Sequence, residues 1–529
     1  MRLFDESTGI THSSRLMHLK KRVICLLLTC WAAMAAHAQP ASQAQSAAPT
    51  QTRDTRALTL EDCIKLALEH NLDIQIQQYN PLINQYALSV YYGSYEPVFN
   101  FTGSKSYNDR SGGFNPQTGQ AFPGNIRETD NYTPEIKGVL PTGMTYDLAG
   151  SLSRNSVLTN TPAFYLPPTW NSDPGITLSQ PLLRNFWIDK TRLQIQLSKA
   201  TLKISEAALR LQIMTSITAV KSAYYNLLYA RGNVDANATA YKLAEQLVTE
   251  NLKRVEVGAL APLDEKQSES QAATSLAAMH VAEQQLIVQE NTLKNLLTDN
   301  YSEWARVTLL PSEQLLAIPQ ALNLQESWRR AVTQRPELTE AKLRIQSQNV
   351  TLKYDFNQLF PELDVQGSYG RNANDNTLGD NLTEIRNGNH SFYSYGAFVS
   401  IPLGGNYAGR NQYKSDKAGL KQLLLTLKQT EQTIVVAVDN DVGAVRSTLQ
   451  QVYATRDARV YAEEALAAER KKLENGKSTS FVVLQLISNL TTARVSEILA
   501  LANYNIAVSQ LAFDEGSTLE VDHVELKVK

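Results

Sequence analysis

The chain has 529 residues, 43% hydrophobic and 19% charged, which excludes an intrinsically disordered protein and allows a large core. Its 50 Lys and Arg nearly balance 52 Asp and Glu at a net charge of −2, so no basic surplus points to nucleic acid. Beyond the first forty residues no apolar run reaches the ~18 residues of a membrane helix, which excludes a polytopic helical membrane protein but not a β-barrel, whose alternating strands leave only a weak hydropathy signal.

In chain order, Lys20, Lys21 and Arg22 precede an apolar run over 23–34, and Ala36-His37-Ala38 puts small residues at the cleavage-determining positions. This predicts a secretory signal peptide over 1–38, cleaved before Gln39. Leu27-Leu28-Thr29-Cys30 is a poor lipidation site because Thr29 is bulky. Cleavage removes Cys25 and Cys30 and leaves Cys63 alone, so no internal disulfide is expected. Cys63 reads as a small buried hydrophobe on a helix face. Residues 39–57 are mostly Gln, Ala, Ser, Thr and Pro and predict a disordered linker.

From residue 58 the chain reads as an internal duplication. Leu58-Thr59-Leu60-Glu61-Asp62 aligns without gaps with Leu322-Asn323-Leu324-Gln325-Glu326, and at the same offset Pro97 meets Pro361 and Gly103-Ser104 meets Gly367-Ser368. Thr59 with Asp62, and Asn323 with Glu326, have the spacing of a capping box at a helix start. The offset then shrinks: Ser179-Gln180-Pro181-Leu182 matches Ser400-Ile401-Pro402-Leu403, and Gly258 matches Gly476. The first half therefore carries about 43 more residues between its strands than the second. Each half reads as helix, strand region, very long helix, tight turn and returning helix.

The strand regions alternate. Leu363, Val365 and Tyr369 point one way and Glu362, Asp364, Gln366 and Ser368 the other; Tyr393, Tyr395, Ala397, Val399 and Ile401 share one face of the return strand. The first half repeats the pattern with Phe99 and Phe101, then Ile176 and Leu178. One apolar and one polar face suit either a half-buried sheet or a barrel between lipid and water. The extra length of the first half has a strand-like pair, about 131–140 and 145–154, around Pro141-Thr142-Gly143, after a Gly-, Asn- and Pro-rich stretch over 105–130. It is expected to be an extended loop carrying a hairpin.

No proline occurs between Pro181 and Pro262 or after Pro402, which permits long helices. From Ile213 a 4-3 spacing runs through Ile217, Val220, Tyr224, Leu227, Arg231, Val234, Ala238, Tyr241, Glu245, Val248, Leu252 and Val255, a coiled-coil seam. A helix over about 190–257 would be roughly 100 Å long at ~1.5 Å per residue and must pack along other long helices. Gly258 suits a left-handed cap and Pro262 the first turn of the next helix; Asn475-Gly476-Lys477-Ser478 is the matching turn. The returning helices are expected at about 262–298 and 480–514. The chain thus divides into a first repeat (58–298), a connector (299–321), a second repeat (322–515) and a tail (516–529).

Four features together resemble the TolC-like outer-membrane efflux family. They are the opening helix over 58–71, the Ser179-Gln180-Pro181-Leu182-Leu183-Arg184 strand end, the Arg254-Val255-Glu256-Val257-Gly258 approach to the turn, and the duplicated layout. The resemblance covers roughly 58–515. It implies a mainly α fold with a membrane β-barrel part: a homotrimer in which each chain gives four strands to a twelve-stranded barrel in outer-membrane lipid and long helices to a periplasmic α-barrel. It also implies docking through the helical tips to a periplasmic adaptor joined to an inner-membrane transporter. On this expectation the extra residues of the first half stand outside the cell rather than enlarging the barrel to eighteen strands.

The family narrows its periplasmic end with carboxylates just past the tips, and Asp264 stands at the matching position after Gly258. Threefold symmetry would turn it into a ring that favours cations. After the second tip the matching positions hold Val482 and Gln485, so a second ring is absent. Leu473 and Ser478 stand where the family's lock has a tyrosine and an arginine. Gly258, Ala259, Leu260, Gly476, Lys477 and Ser478 are the implied adaptor contacts. No enzyme, cofactor, metal or nucleic-acid partner is expected. Gly404-Gly405-Asn406-Tyr407-Ala408-Gly409-Arg410 lacks the Lys and Ser or Thr of a phosphate loop, Asp439-Asn440-Asp441-Val442-Gly443 lacks calcium-loop spacing, and the histidines do not pair as metal ligands. The alternative reading is an exported coiled-coil structural or adhesive protein without a pore.

Overall fold

The computed structural model describes residues 55–159, 167–258 and 260–524. The expected signal peptide, most of the linker and Ala259 lie outside them. β1 (Thr55–Leu58) leads to α1 (Leu60–His70) and α2 (Leu72–Tyr92). Then come β2 (Val98–Arg110), a small β3–β4 hairpin (Gly113–Phe114, Ala121–Phe122), β5 (Asn125–Val139), β6 (Thr145–Ala149), β7 (Leu152–Thr159), β8 (Thr169–Ser172) and β9 (Gly175–Pro181). α3 (Lys190–Glu256) and α4 (Pro262–Leu297) form the first helical hairpin, followed by α5 (Tyr301–Trp304) and β10 (Thr308–Pro311). The second half has α6 (Leu324–Gln334), α7 (Pro336–Asn357), β11 (Glu362–Arg371), β12 (Ala373–Asp375), α8 (Leu378–Asn387), β13 (Ser391–Ser400), the hairpin of α9 (Tyr407–Glu474) and α10 (Ser480–Asp514), and α11 (Thr518–Val521).

Local chemistry sets the helix starts. Thr59 accepts from the Asp62 amide while the Asp62 carboxylate takes the Thr59 amide, a full capping box. Asn323 caps α6 through the Gln325 and Glu326 amides, but Glu326 does not reach back: it is held by Arg329 and Arg330 instead. β1 pairs in parallel with β10, Thr55 opposite Thr308, so the last residues of the expected linker are ordered. Their polar side chains hid a backbone whose partners lie some 250 residues away.

α3 and α9 have 67 and 68 residues, about 100 Å each at ~1.5 Å per residue. Each is covered by two shorter helices stacked end to end. α4 and then α2 lie along α3; α10 and then α7 lie along α9. At the first junction the Asn71 side chain donates to the Leu296 carbonyl at 3.1 Å. At the equivalent second junction Arg335 donates to the Phe513 carbonyl at 3.1 Å and pairs with Asp514 at 2.7 Å. α7 and α10 also pack against α3, joining the halves.

Two cores repeat the same plan. One gathers Cys63 and Ile64 of α1 with Ile217, Tyr224 and Leu227 of α3 and Leu293 of α4; the other gathers Ala331 of α6 with Val438 and Val442 of α9 and Tyr504 of α10. Cys63 is fully buried, and burial pushes its thiol up to about 12. The described part of the tail docks too: α11 packs on α3, and Asp522 meets the almost buried Lys221 at 2.6 Å.

The expected seam holds only over Ile213–Leu227, where all five positions are buried. Toward the tip the core moves to Ala230, Asn233, Ala236, Ala240, Ala244, Leu247 and Asn251, while Glu245 and Leu252 are exposed. There α3 meets α9 and α10, and Ala240, Ala244 and Leu247 pack on Leu466, Leu473, Val483, Leu484, Ile487 and Leu490. Alanines let helix axes come close, so this face wins over the bulkier Val234, Tyr241 and Val248.

The sheet corrects the loop expectation for the first half. β6 and β7 are two segments of one long strand, as are β8 with β9 and β11 with β12. The lateral order is β2, β5, β6/β7, β8/β9, β11/β12 and β13, antiparallel throughout. β2 pairs with β5 from Val98–Lys137 to Arg110–Asn125. Within 105–130 only the segment around β3 and β4 stands off the sheet. Glycines and asparagines lowered the strand signal, but β5 pairs with β2 on one side and with β6 and β7 on the other.

Candidate functional site

The sheet has two chemically distinct faces. One cross-strand row runs Phe99, Ile136, Leu148, Ile176, Tyr369, Tyr393, apolar on all six strands. The neighbouring row on the same face has Tyr146, Leu178 and Tyr395. The opposite face carries the row Lys137, Asp147, Thr177, Ser368, Ser394. There Glu135 accepts from Asn100 at 2.8 Å and pairs with Lys137 at 3.0 Å. Tyr395 is 85% exposed and Phe99 64% in the single chain, far more than a half-buried soluble sheet would leave. Farther along the strands the apolar face turns ionic: Asp130 approaches Lys105 at 3.9 Å and Arg154 at 3.4 Å. Such a band of apolar side chains, ending in charge, suits a layer of lipid bounded by water. No helix among the described residues is long and apolar enough to cross a membrane.

The strand-to-helix turns are built for geometry rather than ligands. Asn406, at a φ of +51°, caps α9 through the Gly409 amide and donates to the Gln358 carbonyl at 2.8 Å. The glycine-rich stretch 404–410 is that turn, and Asp439–Gly443 lies inside α9.

At the far end the two helical turns lie side by side. Gly258 and Gly476 have φ of +72° and +68°, the left-handed region that lets a helix stop and reverse without strain. Gly258, Gly476 and Lys477 are exposed, Leu260 is half-buried, and Ser478 donates to Glu469 at 2.6 Å. Hydrogen bonds from Lys472 and Ser478 lower the Glu469 carboxyl below its usual range. Asp264 is half-buried in the first turn of α4. Its carbonyl accepts from Ser268 at 2.8 Å.

Sequence reasoning missed two features of this end. Buried Asn251 links three helices, donating to Ser268 at 3.2 Å and accepting from Ser480 at 2.8 Å. The signal was a polar residue falling on the Ala-lined face. Val257 (79% exposed), Leu263 and Phe481 also project from the turns as an apolar rim. Beside them a groove between α3 and α9 is lined by Glu250, Arg254, Arg470 and Glu474. Leu473 is buried in the tip core.

Higher up, two carboxyl pairs sit inside the helical packing. Burial, with Asp416 beside it, pushes Asp355 up to about 7; burial and Asp514 push Asp441 up to about 8. Asp416 is held low because bonds from Asp355, Gln412 and Gln348 together outweigh its own burial.

One helix face is left without a partner among the described residues. On α2, Leu72, Ile76, Tyr79, Ile83, Tyr86 and Val90 follow a 4-3 spacing and are 50–73% exposed. The corresponding helix α7 is wedged between α3 and α9. On α9, Leu424 and Leu425 are exposed in turn.

The comparisons agree with this geometry. The chain resembles the Campylobacter jejuni CmeC outer membrane channel at 15% identity, covering 92% of this chain and 94% of that one, with a TM-score of 0.63. It resembles the Vibrio cholerae outer membrane protein VceC at 15% identity, 86% and 96% coverage and a TM-score of 0.62. The open state of the Neisseria gonorrhoeae MtrE outer membrane channel gives 15%, 92%, 98% and 0.62. At such identities these matches establish the fold. No curated protein sequence matches the chain. The sequence profile described as outer membrane efflux protein matches residues 146–298 and 328–514, more than half of the chain. The chain therefore belongs to the outer membrane efflux protein family.

Proposed function

We propose that three copies of this chain form a passive exit duct through the outer membrane, docked at its helical tips to a periplasmic adaptor and an inner-membrane transporter. The observation that carries the reading is the join between a two-faced sheet and hairpins of about 100 Å. The sheet supplies a lipid-facing wall, and the hairpins reach across the periplasm. The unpartnered α2 stripe supplies the contact between copies. In a closed ring of three duplicated chains, α2 of one copy takes on the next copy's α9 the place that α7 takes on α3. Leu72 through Val90 then meet Leu424 and Leu425.

The duct performs no chemistry, and energy enters at the transporter. At the tips Val257, Leu263 and Phe481 give the adaptor an apolar hold, with Gly258, Leu260, Gly476, Lys477 and Ser478 shaping the turns. Three Asp264 carboxylates around the axis attract cations. Purified protein reconstituted in planar bilayers is expected to give a heat-sensitive trimer with discrete conductance steps. A folded, inserted trimer without conductance would favour a pore-free structural or adhesive protein, and a soluble periplasmic monomer would end the channel reading.

A further inference from the structure

We propose that each chain contributes six membrane strands, so that the trimer closes an eighteen-stranded barrel. This rests on the channel reading above and concerns the width of the duct. The first-half and second-half strand pairs alone would supply four strands per chain. β5 and β6/β7 are the additional two, and three observations place them in the wall.

The first is connectivity. β2 pairs with β5 along its whole length, and β9 pairs with β6 and β11. The added hairpin therefore lies between β2 and β9, inside the sheet. Taking it out of the wall would strip β2 of its partner and expose unpaired amides and carbonyls to lipid, at several kcal/mol per group.

The second is length and facing. The long strands run over 98–110, 125–139, 145–159, 169–181, 362–375 and 391–400, each reaching the ~9–11 residues needed to cross a bilayer. Ile136 and Leu148 of the added hairpin continue the apolar row between Phe99 and Ile176. Lys137 and Asp147 carry the polar row of Thr177, Ser368 and Ser394 on across the reverse face, as far as Val98 of β2. A hairpin standing in water outside the membrane would have no cause to match its neighbours on both faces.

The third is parity. Six antiparallel strands, an even number as four would be, leave β2 and β13 as the edges of the described sheet running in opposite directions, so the added pair does not hinder closure. Neighbouring copies can then join by the same antiparallel ladder, and no edge remains. Barrel diameter grows roughly linearly with strand number, so eighteen strands give a lumen about half again as wide as twelve and about twice the cross-section. The outer-membrane stage then admits bulkier cargo than a twelve-stranded wall, and size selection falls to the helical tips.

The test is electron cryo-microscopy of the trimer in lipid nanodiscs, at a resolution that separates strands. Eighteen strands are expected. A trimer with twelve, and residues 125–159 outside the wall, overturns the inference and leaves the channel reading standing; absence of a trimer overturns the channel reading. A second measurement uses Leu148→Cys in a Cys63→Ala background, carrying an environment-sensitive fluorophore in vesicles of phosphatidylcholine with or without brominated tails. Quenching equal to that of an Ile176→Cys control is expected. Fluorescence indifferent to bromine at residue 148, with the control quenched, places the hairpin in water and overturns the inference.

Discussion

Replacing Ile76 and Ile83 together by Asp tests the α2 stripe as the contact between copies. In the single chain these side chains are 66% and 58% exposed, so most of their surface is still available to bury. Full burial of an isoleucine is worth about 1.5–3 kcal/mol, which leaves roughly 1–2 kcal/mol for each at an interface. Removing both costs about 2–4 kcal/mol per contact, and each carboxylate placed there adds a desolvation penalty of several kcal/mol. Three contacts multiply the loss, so the trimer is expected to fall apart in detergent. The fold of one chain should survive, because neither residue belongs to its core. The assay is light scattering after size exclusion, with unheated gel electrophoresis and far-ultraviolet circular dichroism. Gln85→Asp, an exposed change off the stripe, is the control and should leave the trimer intact. A double variant that remains trimeric with unchanged heat resistance would refute the assignment of this face.

Stability should fall with rising pH. Asp355 and Asp441 have folded values of about 7 and about 8 against an ordinary 3.8, so the folded chain holds more protons than the unfolded one between roughly pH 4 and 8. The melting temperature is expected to drop from pH 6 to pH 9, and Asp441→Asn should flatten the upper part of that drop; a flat or rising curve in the parent contradicts the pairing. Asp264→Asn should lower the cation-to-anion permeability ratio of the reconstituted channel toward unity without changing trimer yield, and an unchanged ratio removes Asp264 from the pore. Gly476→Val forces a branched residue to a φ of +68°, at a cost on the order of 1–2 kcal/mol or more. Hydrogen exchange over residues 483–490 should speed up in that variant and stay near the parent's rate in Gly476→Asn, and equal protection in all three would show the turn unstrained.

Helix lengths and turn positions were legible in the sequence because their causes are local. The proline-free stretches, Pro262 at a helix start and glycines at the two reversals act within a few residues of where they stand. The alternating strands were legible for the same reason, since side chains on a strand change sides at every step. The seam of α3 was legible only where large apolar residues and burial coincide, over Ile213–Leu227. Beyond it the helix turns its alanines inward, and periodicity cannot rank Ala244 above Tyr241 without knowing how near α10 comes.

The sheet divides in the same way. Phe99 and Tyr393 declare their faces by alternation alone. That Ile136 and Leu148 sit between them is a matter of register across strands, which sets Phe99 opposite Ile136 and Leu148 opposite Ile176. A polar stretch full of glycine and asparagine looks the same in sequence whether it waves in water or completes a ladder. By itself the sequence determined a duplicated chain of long helical hairpins rooted in two-faced strands, because capping, proline sterics and alternation are short-range. Only the tertiary structure decided how many strands share the sheet, which helix face lacks a partner among the described residues, and where the core of α3 turns, because each depends on groups brought together from distant parts of the chain.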